Sequence, residues 1–568
     1  MKSIEQLKAA AGLSDIAHII GFKPKSLAYV LYVLPPASRY AQFSIPKSSG
    51  GTRDILAPVP QLKLAQRRLC EHLQNCLHDI EAQLTVKSDC ILAHGFKRDL
   101  SIVTNASIHV GRRWVLNLDL KDFFPSINFG RVRGFFIKNK HFCLQPDAAT
   151  VLAQIICHDN QLPQGAPTSP VVSNLIAGLL DIRLNKMATQ NRCSYTRYAD
   201  DITFSTNTRD FPQSLAKIDQ DGVWTLGNRL HKRIKQSGYA INSKKTRMQF
   251  RRSRQEVTGL TVNTEVGIKR ERLKNTRAQV DNLVRNGVCH ARGNPMQPVG
   301  SVSLQGHLAH IAWVKGRYVD HSRSDGHWKR EPAYVQTYRK FLDHQTFVAS
   351  PQPVIICEGK TDNTYFRCSI NRIAGAPANL TDKANPTGLA VRLFQFTRTT
   401  SWVQRLNGGT GDIKNFIEWY AERMRVLSAT KFISPVVLVV DNDSGVKKGG
   451  LNSLVKSKTK SAVAIDGSSD FYHVGQNLYL VHTPKSATGG DTMIEDFLPA
   501  AVKGQTLGGK TLELDESKFD PKKNYGKVPL AETIVKRQQD KINFDAFLPL
   551  LMRVSKALDH FDKSAFKA

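Results

Sequence analysis

The sequence predicts a multidomain protein in which an α+β half is followed by an α/β half with a parallel sheet. A chain of 568 residues is long enough for about two to four domains. Residues 194–205 alternate apolar and polar side chains around an acid pair, which indicates a β-hairpin. Beyond residue 350, short uninterrupted apolar runs end in acidic residues, a pattern typical of buried parallel strands.

The charge of the chain is strongly positive. Its 80 Lys and Arg residues stand against 48 Asp and Glu residues, for a formal net charge of +32. A surplus of this size favours a polyanionic partner, with nucleic acid as the first candidate and an anionic membrane surface as its rival. The sequence has neither an apolar run of about 18 residues nor a lipidation motif, so we expect no membrane partner.

The cysteines and the N-terminus both bear on the cellular compartment. The nine cysteines are scattered without Cys-x-x-Cys spacing, which predicts buried thiols in a reducing compartment and neither disulfides nor a zinc site. The first residues lack the apolar core of a signal peptide. We therefore expect a cytoplasmic protein.

Two adjacent carboxylates mark the centre of the first half. Asp200 and Asp201 lie at the tip of the predicted hairpin, and Asp119 ends a hydrophobic strand upstream. Because neighbouring strand residues point to opposite faces, we expect Asp200 to aim into a cleft and Asp201 to support it. An acid pair alone is more often a solvated turn, but carboxylates from two strands suit Mg²⁺. Together the acids predict a two-metal site for phosphoryl transfer.

Several elements could surround a nucleotide near these acids. Residues 40–57 predict a hairpin with a basic, glycine-rich turn that can approach phosphates, although a plain flexible hairpin fits the same pattern. Gln164 lies in a rigid turn containing Gly and Pro that can face a nucleotide or a template strand. Phe124 could wall the nucleotide pocket and exclude a 2′-OH, or could pack in the core. Lys244 or Lys245 could meet a triphosphate, with Lys244 as the first candidate, or both could lie in a solvated loop.

A basic helix is predicted over residues 269–277. Its cations, which fall on most faces of the helix, indicate a surface that contacts the phosphates of a duplex without reading its sequence. These candidate RNA-binding cations are Lys269, Arg270, Arg272 and Lys274.

Five sequence blocks together resemble reverse transcriptases, and specifically retron reverse transcriptases. The blocks are Asn105-Ala106-Ser107-Ile108-His109, Leu118-Asp119-Leu120-Lys121-Asp122-Phe123-Phe124, Gln164-Gly165-Ala166-Pro167-Thr168-Ser169-Pro170, Tyr198-Ala199-Asp200-Asp201 and Val257-Thr258-Gly259. The first and the last block narrow the resemblance to retrons. It extends over residues 10–320, which are expected to form the fingers, palm and thumb of a right-hand polymerase, with the thumb from about residue 255.

The resemblance implies an RNA-directed DNA polymerase with a two-metal Mg²⁺ site. Asp119, Asp200 and Asp201 would hold the metals, and Phe124 would select dNTPs. Retron enzymes prime from the 2′-OH of a guanosine in a structured noncoding RNA and make branched RNA–DNA, called msDNA. The residues that would help to recognise that RNA are Asn105, His109, Val257, Thr258 and Gly259.

The second half predicts a separate acidic site. Residues 354–357 predict an apolar strand that ends in Glu358, and residues 435–440 predict another that ends in Asp441-Asn442-Asp443. Residues 477–482 predict a third strand of the same kind. Open α/β sheets place their ligands at the carboxyl ends of such strands. Alone, Glu358 could be an acid at a helix N-cap, and the Asp441-Asn442-Asp443 motif could be a simple turn. The two motifs together favour a Mg²⁺ site. Asp362 and Glu495 are candidate accessory acids, and Lys360 could stabilise a phosphate.

This strand and acid pattern resembles the TOPRIM fold of topoisomerases, primases and OLD-family nucleases. The resemblance implies metal-dependent cleavage of a nucleic acid, with Glu358, Asp362, Asp441 and Asp443 at the metal. We expect a reverse transcriptase over residues 1–320, a helical connector over 321–350 and a TOPRIM effector with a helical tail over 351–568. By analogy with retrons, the protein would act in anti-phage defence.

Two other functions compete with this hypothesis. One is a polymerase similar to group II intron maturases or to repair reverse transcriptases, with TOPRIM end-processing. The other is an RNA-binding scaffold without catalysis. The expected partners are a cognate noncoding RNA and its msDNA, dNTPs and a nucleic-acid target of the TOPRIM half, and a homo-oligomer is left open.

Overall fold

The computed structural model describes residues 2–47, 50–83, 91–220, 222–291, 294–316, 331–427, 431–443, 446, 450–460, 465–515 and 517–561. The chain divides into two compact units, Met1–Lys269 and Arg270–Ala568. Within the described residues, no helix is both long enough and apolar enough to cross a bilayer.

The first unit combines helices with short antiparallel sheets. Its α-helices are α1 (Ser3–Ala9), α2 (Leu13–Ile19), α3 (Pro24–Ala28), α4 (Pro60–Gln83), α5 (Ile102–Ser107), α6 (Phe129–Lys138), α7 (Pro146–Ile156), α8 (Ser169–Gln190) and α9 (Asn228–Gln236). Its strands are β1 (Tyr40–Pro46), β2 (Thr52–Pro58), β3 (Trp114–Lys121), β4 (Ser194–Tyr198), β5 (Asp201–Thr206), β6 (Ala216–Ile218), β7 (Trp224–Leu226), β8 (Ala240–Ile241), β9 (Arg247–Phe250), β10 (Glu256–Val257) and β11 (Leu260–Thr261).

Strand β3 is the centre of the main sheet in this unit. It pairs antiparallel with β5 along one edge and with β9 and β8 along the other, and β4 extends the sheet beyond β5. Alternate residues Leu116, Leu118 and Leu120 are buried in the main apolar core, where α6, α7 and α8 also contribute. Side chains alternate along a strand, so Asn117 and Asp119 lie on the opposite face. The predicted hairpin around the acid pair is confirmed as β4 and β5.

The predicted hairpin over residues 40–57 is confirmed by β1 and β2, although Ser48 and Ser49 of its turn lie outside the described residues. The Leu56 N–H donates to the Gln164 carbonyl at 2.8 Å, which joins β2 to the Gly- and Pro-containing turn. Gly165 makes this approach feasible, because its φ is +124° and a Cβ there would lie 2.7 Å from the Leu56 carbonyl oxygen.

One predicted helix is shorter than the sequence pattern indicated. The sequence of residues 222–237, with basic side chains among apolar ones, predicts one continuous helix, but α9 begins only at Asn228. Residues Trp224–Leu226 instead form β7, which pairs antiparallel with β6. Sheet pairing with a partner strand has overridden the local helical pattern here.

The second unit contains a sheet that is mostly parallel. Its α-helices are α10 (Arg270–Asn286), α11 (Ser301–Gly316), α12 (Ala333–Asp343), α13 (Asp362–Arg372), α14 (Thr410–Arg425), α15 (Leu451–Thr459), α16 (Ala500–Lys503), α17 (Lys527–Pro529) and α18 (Leu548–Asp559). Its strands are β12 (His290–Ala291), β13 (Asn294–Pro298), β14 (Val354–Cys357), β15 (Arg392–Leu393), β16 (Val436–Val440), β17 (Tyr472–Gly475), β18 (Leu478–His482), β19 (Thr511–Leu512) and β20 (Asn524–Tyr525).

The five-stranded sheet of this unit has the order β15-β14-β16-β18-β17. All neighbouring strands are parallel except the edge pair β17 and β18. The three predicted apolar strands are therefore confirmed as β14, β16 and β18. The chain continues from β14 to β15 on one side and then to β16 on the other. The carboxyl ends of β14 and β16 thus flank a topological switch point, where open α/β sheets bind their ligands.

Helices α10 and α11 belong to the second compact unit, although the sequence analysis placed residues up to 320 with the polymerase. Their apolar residues, among them Val280, Leu283 and Leu308, share one core with Ile356 and Leu438 of the parallel sheet. The functional borders at residues 320 and 350 stay a prediction, and residues 317–330 lie outside the described residues.

A buried histidine ties the strands of the acid hairpin together. His109 is 0% exposed. Its Nδ1 lies 2.7 Å from Ser205 Oγ on β5, and its Nε2 lies 2.8 Å from Thr196 Oγ1 on β4. Burial, with help from the nearby Arg112, lowers the pKa of His109 to about 3. The ring is therefore neutral at physiological pH.

This histidine should make the first unit sensitive to acid. Below about pH 6.5, His109 binds a proton in the unfolded chain but not in the folded chain. The free energy of unfolding therefore falls by roughly 1.4 kcal/mol for each pH unit that the pH drops. Hydrogen exchange of residues 194–206 between pH 7.5 and 5, corrected for intrinsic rates, should show this loss of protection. A His109→Asn variant should be less protected at pH 7.5 and should lose less protection on acidification. Equal pH slopes in both proteins would contradict this assignment.

Candidate functional sites

Asp119 and Asp201 meet across the main sheet of the first unit. They are direct partners in the antiparallel pairing of β3 and β5, so their side chains lie on the same face of the sheet. Asp200 occupies the turn between β4 and β5, and its carbonyl accepts from the Leu120 N–H at 2.9 Å. The predicted set of three carboxylates is thus brought to one end of β3.

The carboxylates of this set destabilise one another's charged forms. Burial, followed by the Asp200 and Asp119 carboxylates, raises the pKa of Asp201 to about 7. Burial is also the main cause of the raised pKa of Asp200, and the Arg53 guanidinium of β2 partly offsets it. An acidic cluster of this kind stabilises a bound cation, because the cation relieves the repulsion between the carboxylates.

A lysine supplies one positive charge to the cluster. Lys245 Nζ lies 2.7 Å from Asp119 Oδ2, and this contact is the first cause of its raised pKa. The sequence left Lys244 and Lys245 as alternatives and favoured Lys244 for nucleotide binding. Both lysines are exposed, but it is Lys245 whose ammonium group contacts a carboxylate of the set.

The acid turn is held by a buried arginine that the sequence analysis did not single out. Arg197 on β4 is 0% exposed and makes a two-pronged ion pair with Asp181 of α8, with N–O distances of 2.7 and 2.8 Å. Its Nη1 donates to the Ala199 carbonyl at 2.9 Å and to Asn174 Oδ1 at 3.1 Å. Ala199 has a φ of +55°, an uncommon conformation for alanine. Arg197 therefore fixes the strained turn that carries Asp200.

Phe124 and Gln164 lie within the same unit, where the sequence placed them in a nucleotide pocket. Phe124 is half-buried, and its ring centroid lies 6.2 Å from Phe96 and 5.6 Å from Phe123. The Gln164 side chain is partly exposed and its backbone carbonyl contacts β2. Their nucleotide-binding roles stay predictions.

A cavity of about 420 Å³ opens beside the acids. Asp119, Asp201 and Lys245 line it together with Thr258 and Gly259 of the β10–β11 turn. The retron-like block of residues 257–259 is thus a neighbour of the carboxylates, although Val257 itself is buried.

The two retron-like blocks also pack on each other. Thr258 Oγ1 donates to the Ile102 carbonyl of α5 at 3.2 Å, and α5 carries Asn105. Asn105 is buried, and its side-chain oxygen has no hydrogen-bond partner among the described residues. His109 is enclosed between β4 and β5, so an effect of His109 on RNA would have to pass through the strands that it joins.

The predicted RNA-binding cations are accessible. Lys269 pairs with Glu256 at 2.7 Å at the end of the first unit. Arg270, Arg272 and Lys274 are exposed on the first turns of α10 in the second unit. Side chains in such positions can contact a phosphate backbone.

A second group of acids lies at the switch point of the parallel sheet. Glu358 follows β14 and Asp441 follows β16, and the Asp441 N–H donates to Glu358 Oε2 at 3.1 Å. The Thr410 hydroxyl, at the start of α14, donates to Glu358 Oε1 at 2.5 Å. Asp362 accepts from the Gly359 N–H at 2.7 Å. Burial, followed by Asp362, Glu358 and Glu495, raises the pKa of Asp441 to about 8.

Glu495, a candidate accessory acid, lies deep among these carboxylates. Glu495 is fully buried, and Lys527 Nζ lies 3.1 Å from its Oε1. After burial, Glu495 is the largest carboxylate influence that raises the pKa of Asp362 to about 6. Asp443 Oδ1 accepts from the Val446 N–H at 3.0 Å, and its place at the metal stays a prediction. Lys360 is exposed.

The carboxylate oxygens at both acidic sites are suitable ligands for a hard divalent cation, although neither group of carboxylates has the arrangement of a formed metal site. Among the described residues, no group of three His, Cys, Asp or Glu side chains has the arrangement of a metal site. Each acidic group instead contacts an ammonium group, Lys245 on Asp119 and Lys527 on Glu495. Ionised carboxylate oxygens are the hard ligands that Mg²⁺ prefers. Asp119, Asp200 and Asp201 would hold it in the first unit. In the second unit the candidate ligands are Glu358, Asp362, Asp441 and Asp443, with Glu495 as an accessory acid.

An antiparallel sheet with acids from adjacent strands, flanked by helices, defines the palm class of polymerase domain. Residues 45–264 match the family described as reverse transcriptase (RNA-dependent DNA polymerase). The chain is 34% identical over 289 residues to the Retron Ec86 reverse transcriptase of Escherichia coli, covering 50% of this chain and 82% of that protein. The chain belongs to the retron reverse transcriptase family.

Other relatives are matched over less of their length. The Retron Mx65 reverse transcriptase of Myxococcus xanthus is 38% identical over 265 residues, which is 44% of this chain and 56% of that protein. The Retron Mx162 reverse transcriptase of the same organism is 32% identical over 345 residues, 55% of this chain and 68% of that protein. The match to the reverse transcriptase family ends at residue 264, before the second unit begins.

Similarity to solved structures is weak. The telomerases of Candida albicans and Candida tropicalis, each in complex with a TWJ fragment of telomeric RNA, both have a TM-score of 0.29. They are 10% and 13% identical and cover 53% of this chain, and 59% and 56% of their own chains.

Loss of the simultaneous contacts of Arg197 with Asp181 and Ala199 should displace the turn that carries Asp200. An Arg197→Lys variant keeps the charge but cannot contact Asp181 with two prongs and Ala199 at once. We expect single-turnover dNTP incorporation to slow by about 10- to 100-fold, the cost of a small displacement of reacting groups. The KM for dNTP should change much less, because Arg197 does not reach the cleft. The control is Arg183→Lys on the same helix as Asp181, and equal rates in the two variants would contradict a positioning role.

The two neighbouring lysines should differ in their effect. Lys245→Met leaves Asp119 without its cation, so repulsion among the carboxylates increases and incorporation should fall at least about tenfold. Lys244→Met removes the same charge one residue away and should change the rate by no more than about twofold. Primer extension at saturating dNTP and Mg²⁺ makes the comparison. A larger loss in Lys244→Met would restore Lys244 as the functional residue.

Proposed function

We propose that this protein is an RNA-directed DNA polymerase that copies a cognate noncoding RNA into msDNA, primed from a guanosine 2′-OH. The observation that carries the proposal is the pairing of Asp119 with Asp201 beside the Asp200 turn, in a chain of the retron reverse transcriptase family. Thr258 and Gly259 line the cavity beside the acids, and Thr258 packs on the helix that carries Asn105, which supports a role for both retron-like blocks in RNA recognition.

The reaction is the transfer of a nucleotidyl group to a hydroxyl. The hydroxyl gives up its proton to water, and its oxygen forms a bond to the α-phosphorus of a dNTP. The bond between that phosphorus and the oxygen that bridges to the β-phosphorus breaks, and pyrophosphate leaves with the electron pair. Divalent metal, when bound, supplies charge stabilisation to the attacking and leaving oxygens. The role of Lys245 is to offset the carboxylate charges, and the role of Arg197 is to hold the turn. Phe124 would restrict the space at the sugar.

We infer that the second unit carries a TOPRIM-type, metal-dependent nuclease. Four buried or half-buried acids converge at the switch point of a parallel sheet, which is where such a fold would bind its metal. The Thr410 hydroxyl and the Lys527 ammonium orient Glu358 and Glu495. The fusion of this unit to a retron enzyme supports a role as an effector in anti-phage defence, restrained by msDNA until infection.

The polymerase proposal is tested on nucleic acid purified with the protein from cells that carry its native locus. We expect a short single-stranded DNA that keeps one ribonucleotide after RNase treatment and shifts in a gel after debranching. Asp200→Asn should abolish it, because the turn then lacks one charged ligand. RNA alone, or unbranched DNA, would overturn 2′-OH priming.

The nuclease proposal is tested separately, in cells that make normal msDNA. Glu358→Gln should leave msDNA intact and abolish growth arrest on phage infection, because the variant removes one carboxylate from the second site only. Glu418→Gln on α14, an exposed position, is the matched control. Arrest that persists in Glu358→Gln would reject this assignment without affecting the polymerase.

A further inference from the structure

The second unit contains a cavity that belongs to neither acidic site. It has a volume of about 370 Å³ and lies between α10, α12 and α14. This is within the range of about 300–1,000 Å³ that small-molecule pockets occupy. On α12 the lining residues include Ala333, Gln336, Thr337 and Lys340, which share one helix face because they are three or four residues apart.

A buried ion pair makes the floor of the cavity rigid. Arg423 of α14 contacts Asp343 of α12 with both Nε and Nη2, at 2.9 and 2.6 Å. Gln404 donates to the same carboxylate at 3.1 Å. Both charged side chains are 3% exposed. The Asp343 charge is therefore used within the protein and is not available to a ligand.

A second arginine adds positive charge at the same floor. Arg339 is buried, its Nε donates to the Val403 carbonyl at 2.5 Å, and its Nη2 lies 3.4 Å from Glu331 Oε1. That carboxylate oxygen also accepts from Arg405, so one acid serves two guanidinium groups. Burial, followed by repulsion from Arg423, lowers the pKa of Arg339 to about 10. The positive charges of Arg339, Arg405 and Arg423 therefore outnumber the two nearby acids, Glu331 and Asp343.

The rim of the cavity continues this imbalance. Lys340 pairs with Asp281 at 2.6 Å, and Arg277 is exposed one helical turn before Asp281 on α10. The charged lining residues are the cations Arg277, Arg339, Lys340 and Arg423 and the acids Asp281 and Asp343. The rest of the wall includes apolar surface from Ala333, Val426 and Leu427.

We propose that this cavity binds a nucleoside phosphate. The phosphate would lie against Arg277 and Lys340 above the Arg339 guanidinium, and the nucleoside would lie on the apolar wall. Charge-assisted hydrogen bonds to phosphate are among the stronger polar contacts in proteins, and a cavity with surplus cations favours them. The ligand is either a free nucleotide or the 5′-phosphorylated end of a DNA strand. The proposal is independent of the functions proposed for the two acidic sites.

The test measures binding of three probes to the full-length protein. The probes are dAMP, by calorimetry, and a short 3′-labelled DNA with either a 5′-phosphate or a 5′-hydroxyl, by fluorescence anisotropy. Saturable binding of dAMP identifies a free nucleotide as the ligand class. Tighter binding of the phosphorylated strand without dAMP binding identifies a strand end.

Two variants assign the binding to this cavity. Lys340→Gln should weaken the bound probe at least about tenfold, the loss expected for one charge-assisted contact. Ala333→Trp fills the mouth of the cavity without altering a charge and should abolish binding, while thermal melting confirms that the protein is folded. Arg285→Gln, an exposed charge loss farther along α10, should bind as the wild type does. The proposal is overturned if no probe saturates by about 1 mM, or if Ala333→Trp binds like the wild type.

Discussion

The antiparallel pairing of β3 with β5 is the constraint on which the first unit depends. It sets Asp119 opposite Asp201, and a shift of one residue in that pairing would move Asp119 to the core face. Leu116, Leu118 and Leu120 prevent the shift, because they would then leave the apolar core. Packing of an ordinary core therefore holds carboxylates that repel one another. The Arg197 contacts extend the same constraint from the strands to the turn between them.

The two acidic sites reach a similar electrostatic state by different backbone routes. In the first unit the carboxylates come from paired antiparallel strands and a tight turn. In the second they follow parallel strands at a switch point, joined by Asp362 and Glu495 from elsewhere in the unit. In both, burial and mutual repulsion raise the carboxylate pKa values, and one lysine supplies a compensating charge. Hard cations satisfy such groups better than a single ammonium does.

The cations that give the chain its large positive charge fall into two structural groups, exposed and buried. Some cations are exposed, as on the first turns of α10, and suit contacts to a phosphate backbone. Others, such as Arg197 and Arg423, are buried and paired with an aspartate, so they stabilise the fold instead. Net charge alone does not distinguish the two groups, because the difference lies in burial.

The sequence by itself determined the elements in which local pattern and chemistry agree. Alternation around Tyr198 and Asp201 predicted the acid hairpin, and uninterrupted apolar runs predicted β14, β16 and β18. The acids at their ends followed directly, because a residue next to a strand in sequence is also next to it in space. Only the tertiary structure decided which distant residues meet them. It placed Lys245 against Asp119, placed Glu495 and Lys527 near Asp441, and enclosed His109 between β4 and β5.

Arg197 shows why the sequence could not supply these contacts. In a strand of alternating polar and apolar residues, an arginine is typical of the solvent-facing side. The sequence around Arg197 does not predict that Asp181 of α8 pairs with it. The partners of Lys245 and Lys527 are likewise far away in the chain, so their contacts depend on how whole elements pack. The position of α10 and α11 in the core of the second unit was unpredictable for the same reason. The sequence pattern of a helix shows which of its faces is apolar, but not which sheet covers that face.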